Sequence, residues 1–176
     1  MAILPILTEP DSRLREVSKP VSEVTDEIRQ FMQDMLETMY DDSGIGLAAI
    51  QVGVAKQIIV LDLREDDPEL ESRPEGFYPL FMVNPKIITA SEECVAAAEG
   101  CLSVPTLRVE VSRPSSIKVE YLDYNGEQRT IDASGWFARA IQHEMDHLQG
   151  KLIIDYLSPL KKDMAEAKLK KIKKGL

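Results

Sequence analysis

The sequence has little of several residue types that would define a protein class. It contains two cysteines, two histidines and one tryptophan, and aromatic residues make up 6% of the chain. Two cysteines are too few for the disulfide framework of a small secreted protein. No apolar run approaches the roughly 20 residues of a membrane-spanning helix, and the opening segment MAILPILTEPDSR lacks the basic start of a signal peptide. We expect a cytoplasmic protein without a membrane segment.

Positive charge is also scarce. The 176 residues include 21 Lys and Arg against 30 Asp and Glu, for a net charge of −9. This excess of acid argues against a protein that binds nucleic acid through its phosphates, and we expect no sequence-specific nucleic acid binding. The length is typical of one domain with its own hydrophobic core, so residues 1–176 are expected to form a single domain.

Two sequence periods indicate that the chain mixes helices and strands. Apolar residues recur at helical spacing in residues 25–40, where Thr25 is a candidate N-cap. The runs QIIVLDL at 57–63 and FMVNPKII at 81–88 predict strands, and the charged, proline-containing segment between them predicts a surface loop. The segment IKVEYLDYNGEQRTIDA predicts a hairpin, with Asn125-Gly126 supplying the positive φ of a tight turn.

Helical spacing returns in the last third of the chain. A helix is predicted after Gly135, and Gly150 stands where a helix commonly stops. Ser158-Pro159 then predicts the start of a basic C-terminal helix at about 159–175. The apolar stripe of that helix comprises Ala165, Leu169, Ile172 and Leu176. The expected fold class is α+β, with mixed or antiparallel strands packed around a central helix and with N-terminal and C-terminal helices.

Both histidines of the chain lie in QHEMDHLQG, residues 142–150. Positions i and i+4 share one face of an α-helix, so His143 and His147 can direct two imidazole nitrogens at one metal ion. Glu144 lies at the edge of that face, where its carboxylate can act on water at the metal without being a ligand. The spacing predicts a hydrolytic site on a central metal-binding helix. A pair of core or solvated histidines is the non-functional interpretation.

A catalytic metal of this kind usually has three protein ligands and one open position. Cys101 and Glu166 are the candidates for the third ligand. Cys101 follows Gly100, which lets the backbone pass close to a ligand or another chain. Glu166 lies in AEAKLKKIKK, where a glutamate most often pairs with lysines one turn away. Glu166 would make the chain an HExxH metalloprotease, and four protein ligands would make it a structural metal-binding module. Cys94 is expected to be a buried, inert thiol.

Three segments together resemble one protein family. GIGLAAIQVG at 44–53, EGCLSVP at 99–105 and QHEMDHLQG at 142–150 look like the signature blocks of bacterial peptide deformylases, in their usual order and at their usual separations. The resemblance implies a single catalytic domain over residues 1–176. It also implies a metal-dependent hydrolase that removes the formyl group from the N-terminal formylmethionine of nascent polypeptides and releases formate.

The same resemblance implies the metal site. Cys101, His143 and His147 would bind one divalent metal, usually Fe²⁺, in a site that Zn²⁺, Ni²⁺ or Co²⁺ can also occupy. Glu144 would act as general acid and base, taking a proton from water and returning it to the departing amine.

The remaining family blocks imply contacts with the substrate. The side-chain amide of Gln51 and the backbone N–H of Leu102 would stabilise negative charge on the formyl oxygen. The backbone near Ile45 and Gly46 would pair with an extended peptide, as an added β-strand does.

Residues just before the first histidine help to line the methionine pocket in the family, and here that stretch is GWFARAI. Trp136 would form a wall of the pocket, although a lone tryptophan often packs in the general core. Arg139 stands where relatives commonly carry an apolar side chain, a departure expected to change the pocket and to leave the metal site untouched. Glu99 and Gly100 are further candidates for substrate binding.

Two charged features lie outside these blocks. Arg113 is expected to pair with Asp146 and brace the metal-binding helix. The C-terminal helix belongs to a tail with seven lysines after residue 160. By resemblance, such a helix contacts the ribosome near the peptide exit in some bacterial members, and attraction to phosphate would drive that contact. A solvated helix face is the alternative interpretation.

Overall fold

The computed structural model describes residues 2–175, which form three α-helices and seven β-strands. The helices are α1 (Asp26–Asp41), α2 (Gly135–Leu148) and α3 (Pro159–Lys173). The strands are β1 (Gly46–Ala48), β2 (Ile58–Leu61), β3 (Leu80–Ala90), β4 (Cys94–Cys101), β5 (Val104–Pro114), β6 (Ser116–Leu122) and β7 (Gln128–Ser134).

Five of these strands form one antiparallel sheet in the order β1-β2-β3-β6-β7, and β4 pairs with β5 as a separate hairpin. Helices cover both faces of the sheet. Successive side chains of a strand point to opposite faces, so one strand contributes to two cores. In β2, Ile59 and Leu61 pack in one core with α2, whereas Ile58 and Val60 pack in a second core with α1. The predicted α+β fold is confirmed.

The first helix begins and packs as its sequence predicts. The Thr25 hydroxyl accepts a hydrogen bond from the Ile28 N–H at 3.2 Å and so caps the helix. The apolar residues at helical spacing, which include Met32, Met35 and Met39, are buried against the sheet. α1 therefore closes the sheet face opposite α2.

The central helix α2 lies between the sheet and the β4–β5 hairpin. Phe137 and Ile141 are fully buried in the core that α2 shares with the sheet. On the hairpin side, Arg139 and Gln142 donate hydrogen bonds to backbone carbonyls of β5. The predicted arrangement of strands around this helix is confirmed. It places the histidine motif in the interior.

We expect Gly150→Ala to destabilise the protein more than Gly135→Ala. Both glycines have positive φ, +74° and +58°, but a Cβ at Gly150 would overlap the carbonyl oxygen of Arg15, whereas no described atom lies within 4 Å of a Cβ at Gly135. Left-handed backbone costs an alanine about 1–2 kcal/mol at either position, and the overlap adds about 1–3 kcal/mol at Gly150 alone. Urea unfolding measures both losses, and equal losses would contradict this reading of the contact.

The predicted hairpin of β6 and β7 is confirmed, and Gly126 has the positive φ of its turn, which Asn125 does not share. The turn spans residues 123–127, and the Asp123 carboxylate accepts hydrogen bonds from the N–H groups of Asn125 and Glu127 within it. Cys94 is exposed rather than buried, because it opens β4 at an uncovered end of the hairpin.

The C-terminal helix α3 is capped by Ser158, whose hydroxyl accepts a hydrogen bond from the Lys161 N–H. Ala165 and Leu169 are buried beside β5, whereas Ile172 is 37% exposed. Leu176, the last residue of the predicted stripe, lies outside the described residues. Within residues 2–175, none of the helices has the length and apolar character required to span a membrane.

Candidate metal centre

The fold brings together one thiol and two imidazoles. Cys101 is the last residue of β4. The β4–β5 hairpin places the Cys101 side chain next to the face of α2 that carries the two histidines. The ligand atoms of Cys101, His143 and His147 lie within 4.8 Å of one another, and Cys101 Sγ is 3.4 Å from His147 Nε2. Among the described residues, Glu166 is not part of this group.

A buried carboxylate orients the first imidazole. Glu99 Oε1 lies 2.9 Å from His143 Nδ1, which leaves Nε2 of that ring for a metal. Burial alone would raise the pKa of Glu99, but hydrogen bonds from Arg113 and His143 outweigh it and hold that pKa at about 2. Burial also lowers the pKa of His147. At His143 burial acts in the same direction, but the neighbouring Glu144 carboxylate and the contacts with Cys101 and Glu99 outweigh it and raise the pKa.

The carboxylate of Glu144 lies beside the three ligand residues. It is 5% exposed, Oε1 is 4.0 Å from His147 Nε2, and Oε1 has no hydrogen-bond partner within residues 2–175. Burial raises the pKa of Glu144 to about 7. A carboxyl group with that pKa can both accept and donate a proton near neutral pH.

The side chain of Gln51 is held in one orientation. Its Oε1 accepts a hydrogen bond from the Ala48 N–H at 2.9 Å, and its Nε2 donates to Ser103 Oγ at 3.0 Å. Nε2 is also 3.6 Å from Cys101 Sγ, so the amide donor points toward the ligand group. Leu102 lies in the turn between β4 and β5. Sequence reasoning missed Ser103, although it stands inside the EGCLSVP block.

The ligand group opens into a cavity of about 550 Å³. Its walls include all the site residues that the family resemblance implies except His147, which is 1% exposed, and they do not include Glu166. Trp136 and Ile45 are 48% and 44% exposed, so Trp136 does not belong to the general core. The size and the mixture of apolar and polar walls suit a small ligand or the end of a peptide.

Arg139 does more than alter the shape of the cavity. Its Nη1 donates to Glu99 Oε2 at 2.6 Å and to the Val111 carbonyl at 2.8 Å, and its Nη2 donates to the Val95 carbonyl. The expectation that Arg139 leaves the metal site untouched was therefore wrong, since Glu99 contacts His143. Sequence spacing gave no signal for this contact, because the partner lies on another element.

Two arginines surround the Glu99 carboxylate, which is 5% exposed. Besides the contact with Arg139, Glu99 accepts hydrogen bonds from Arg113 at 2.7 and 2.9 Å. Arg113 also binds Asp146 at 2.9 Å, which confirms the predicted pair, and Tyr156 donates to the same carboxylate oxygen at 2.6 Å. Both oxygens of the Glu99 carboxylate are thus bonded to side chains in the protein interior.

The donor set fits a catalytic divalent metal. A thiolate and two imidazoles suit Fe²⁺, Zn²⁺, Ni²⁺ or Co²⁺. The group within residues 2–175 supplies three protein ligands, whereas structural zinc sites usually supply four. The buried Glu144 carboxylate, one oxygen of which has no hydrogen-bond partner among the described residues, lies alongside. Together, the fold and the site define a metal-dependent hydrolase.

Comparison with known proteins gives the family. The family model described as polypeptide deformylase matches residues 3–163. Peptide deformylase from Rickettsia canadensis is 58% identical over 176 residues, which cover 100% of this chain and 99% of that protein. The chain therefore belongs to the polypeptide deformylase family, and it is an enzyme that removes N-formyl groups from nascent peptides in a metal-dependent reaction. The HExxH metalloprotease is not favoured.

Solved structures agree. The crystal structure of peptide deformylase from Ehrlichia chaffeensis superposes with a TM-score of 0.90 at 44% identity, covering 99% of this chain and 98% of that one. A Met-Ala-Ser-bound crystal structure of a class I type b peptide deformylase from Acinetobacter baumannii has a TM-score of 0.79 at 35% identity, covering 89% of this chain and 99% of that one.

Proposed function

We propose that this chain deformylates N-terminal formylmethionine at a metal held by Cys101, His143 and His147, with Glu144 moving the proton. The observation that carries the proposal is the convergence of these three ligand residues beside a buried carboxylate, at the end of a peptide-sized cavity. Residues 1–176 act as one catalytic domain, and the cytoplasm is the proposed location.

The peptide substrate binds along β1. This strand lies at one edge of the five-stranded sheet and, in the part of the chain that the structure describes, pairs only with β2, so its outer edge can accept an added strand. Ile45 and Gly46 supply the backbone at that edge, and Gly100 lies across the cavity. The methionine side chain enters the cavity between Trp136 and Leu102. Downstream residues then extend along β1 toward solvent.

The reaction needs an electrophilic carbonyl, a nucleophile and a proton carrier. When bound, a divalent metal supplies a Lewis acid for the formyl carbonyl and makes water a nucleophile near neutral pH. Glu144 accepts the proton of the attacking water and gives it to the amine nitrogen as the C–N bond breaks, so that formate and a free N-terminus result. Gln51 Nε2 and the Leu102 N–H donate to the formyl oxygen as its negative charge grows.

Fe²⁺ is the proposed resident metal. The thiolate and imidazole ligands also accept Zn²⁺, Ni²⁺ and Co²⁺, so the ion must be identified directly. Metal analysis of protein purified without oxygen is expected to find about one iron per chain. Oxygen must be excluded, because a thiolate at such a site is prone to oxidation. Iron-free, fully active protein would exclude this assignment.

The peptide-level test is formate release from formyl-Met-Ala-Ser by the anaerobically purified protein. Acetyl-Met-Ala-Ser is the matched control, since its additional methyl group should not fit the space beside the buried Glu144 and Gln51. Formate from the first peptide and no acetate from the second are expected. Absence of formate release by metal-loaded, folded protein would refute the proposed function.

Gly46→Ala is expected to lower kcat/KM for formyl-Met-Ala-Ser by about 10²-fold, because a misplaced catalytic group costs roughly that much. A Cβ at Gly46 would lie 2.5 Å from Glu144 Oε2, and the flexible carboxylate would move aside. The unfolding midpoint should change little. Gly76→Ala is the control for the rate, since no described atom lies within 4 Å of its Cβ, and its φ of +75° should cost only stability, about 1–2 kcal/mol. An unchanged rate in Gly46→Ala would show that Glu144 tolerates displacement.

The basic helix α3 is the proposed ribosome contact. The exposed lysines of α3 are Lys161, Lys168, Lys170, Lys171 and Lys173, and Lys174 just after the helix is also exposed. Attraction to ribosomal phosphate would weaken as salt rises. Replacing these lysines by glutamine should reduce co-sedimentation with ribosomes and spare activity on formyl-Met-Ala-Ser. Unchanged co-sedimentation would contradict the ribosome contact and would mean that the lysines of α3 are simply solvated.

A further inference from the structure

Arg139 is a buried cation that the proposed chemistry does not use. It is 7% exposed and lies one turn before His143, on the face of α2 that meets the β4–β5 hairpin. A buried arginine is stabilised only where its charge and its N–H groups find partners. The groups that accept hydrogen bonds from Arg139 therefore indicate which elements this side chain holds together.

All three hydrogen-bond acceptors of Arg139 belong to the hairpin. Nη1 donates to Glu99 Oε2 at 2.6 Å and to the Val111 carbonyl at 2.8 Å, and Nη2 donates to the Val95 carbonyl at 2.5 Å. Glu99 and Val95 lie on β4, and Val111 lies on β5. One guanidinium thus joins α2 to both strands, which its planar fork can do and a lysine amine cannot.

The metal ligands are divided between the same two elements. Cys101 ends β4, whereas His143 and His147 lie on α2. The distance between the Cys101 thiol and the two imidazoles therefore depends on how the hairpin packs against α2. Arg139 lies four residues before His143 and contacts β4 at Glu99, two residues before Cys101. The same Glu99 carboxylate accepts from Arg139 on Oε2 and contacts His143 Nδ1 with Oε1.

We propose that Arg139 is a positioning residue that holds the β4–β5 hairpin, and with it the Cys101 thiol, at the ligand distance from the two imidazoles of α2. The inference rests on the proposed function, because it concerns the same metal site. Trp136 supports the guanidinium from the cavity side, with its ring centroid 5.6 Å from the Arg139 Cζ. Arg113 provides a second link between hairpin and helix through Asp146. Both arginines bind the Glu99 carboxylate that contacts His143.

The test is a Co²⁺ titration of the full-length protein with its metal removed, read by absorption. Arg139→Met keeps much of the side-chain volume but removes the hydrogen bonds to two hairpin carbonyls and to the Glu99 carboxylate. The dissociation constant for Co²⁺ should rise about 10–100-fold, as it does when residues that orient ligands are removed, and the sulfur-to-cobalt charge-transfer band should weaken at saturation. Arg139→Lys should fall between Arg139→Met and the unsubstituted protein.

Arg129→Met is the matched control, because Arg129 is an exposed arginine on β7 whose ion pairs are with Asp123 and Glu127, neither of which belongs to the ligand group. It should leave both readouts within twofold of the unsubstituted protein. An Arg139→Met protein with a lower unfolding temperature but unchanged Co²⁺ affinity and band would overturn the proposal, since Arg139 would then be merely structural. If Arg139→Met does not fold, Arg139→Lys decides: weaker Co²⁺ binding supports the proposal, and binding within twofold overturns it.

The same titration separates this inference from the proposed function. Unsubstituted protein that binds Co²⁺ without a charge-transfer band from sulfur would contradict the proposed metal site itself. Unsubstituted protein with the band, together with an Arg139→Met protein that binds equally well, would contradict only the role given to Arg139.

Discussion

Glu144→Gln is expected to lower kcat/KM for formyl-Met-Ala-Ser by about 10²–10⁴-fold, the usual contribution of a general acid and base. Glutamine has nearly the same size as glutamate but cannot accept the proton of the attacking water. The carboxylate lies beside the ligand group rather than within it, so the variant should still bind one metal ion per chain. Formate release and metal analysis of the same sample measure the two properties.

Glu166→Gln is the control for this substitution. Glu166 lies on α3, outside the ligand group, and its replacement should leave both activity and metal content unchanged. Loss of metal from Glu166→Gln would revive the metalloprotease alternative. A Glu144→Gln protein that retains full activity would remove Glu144 from the reaction.

Cys101→Ala is expected to abolish tight metal binding and, with it, activity. Cys101 supplies the sulfur ligand of a three-residue group, and residues that only orient ligands already change metal affinity about 10–100-fold. The loss should therefore exceed about 100-fold in affinity. Competition with a chelator of known affinity measures it.

The second cysteine offers a natural control. Cys94 is exposed at the start of β4, outside the ligand group, so Cys94→Ala should keep full affinity and activity. If Cys101→Ala and Cys94→Ala bound metal equally well, the thiol would not be a ligand. The site would then need a different third residue.

The parts of the site that follow from local spacing could be predicted from the sequence. His143 and His147 share a helix face because an α-helix repeats every 3.6 residues, and the neighbouring Glu144 follows from the same geometry. The starts of α1 and α3 could also be predicted, because the capping hydroxyls of Thr25 and Ser158 act within one turn. These predictions needed no knowledge of which elements pack together.

The contacts between elements could not be predicted in this way. Spacing alone left Cys101 and Glu166 open as third ligands, and family resemblance favoured Cys101. The hydrogen bond from Arg139 to Glu99 depends on how the hairpin packs against α2. That tertiary arrangement has no local sequence signal. The exposure of Cys94 has the same origin, since an apolar-looking strand end is buried only if another element covers it.

X-ray absorption by the zinc-loaded protein tests the central claim most directly. A thiolate and two imidazoles predict one sulfur at about 2.3 Å and two nitrogens at about 2.0–2.1 Å, with a fourth, lighter ligand completing the site. The sulfur signal should persist in Cys94→Ala, whereas any zinc that Cys101→Ala retains should show no sulfur neighbour. A spectrum of the unsubstituted protein without sulfur would contradict a metal centre built from Cys101, His143 and His147.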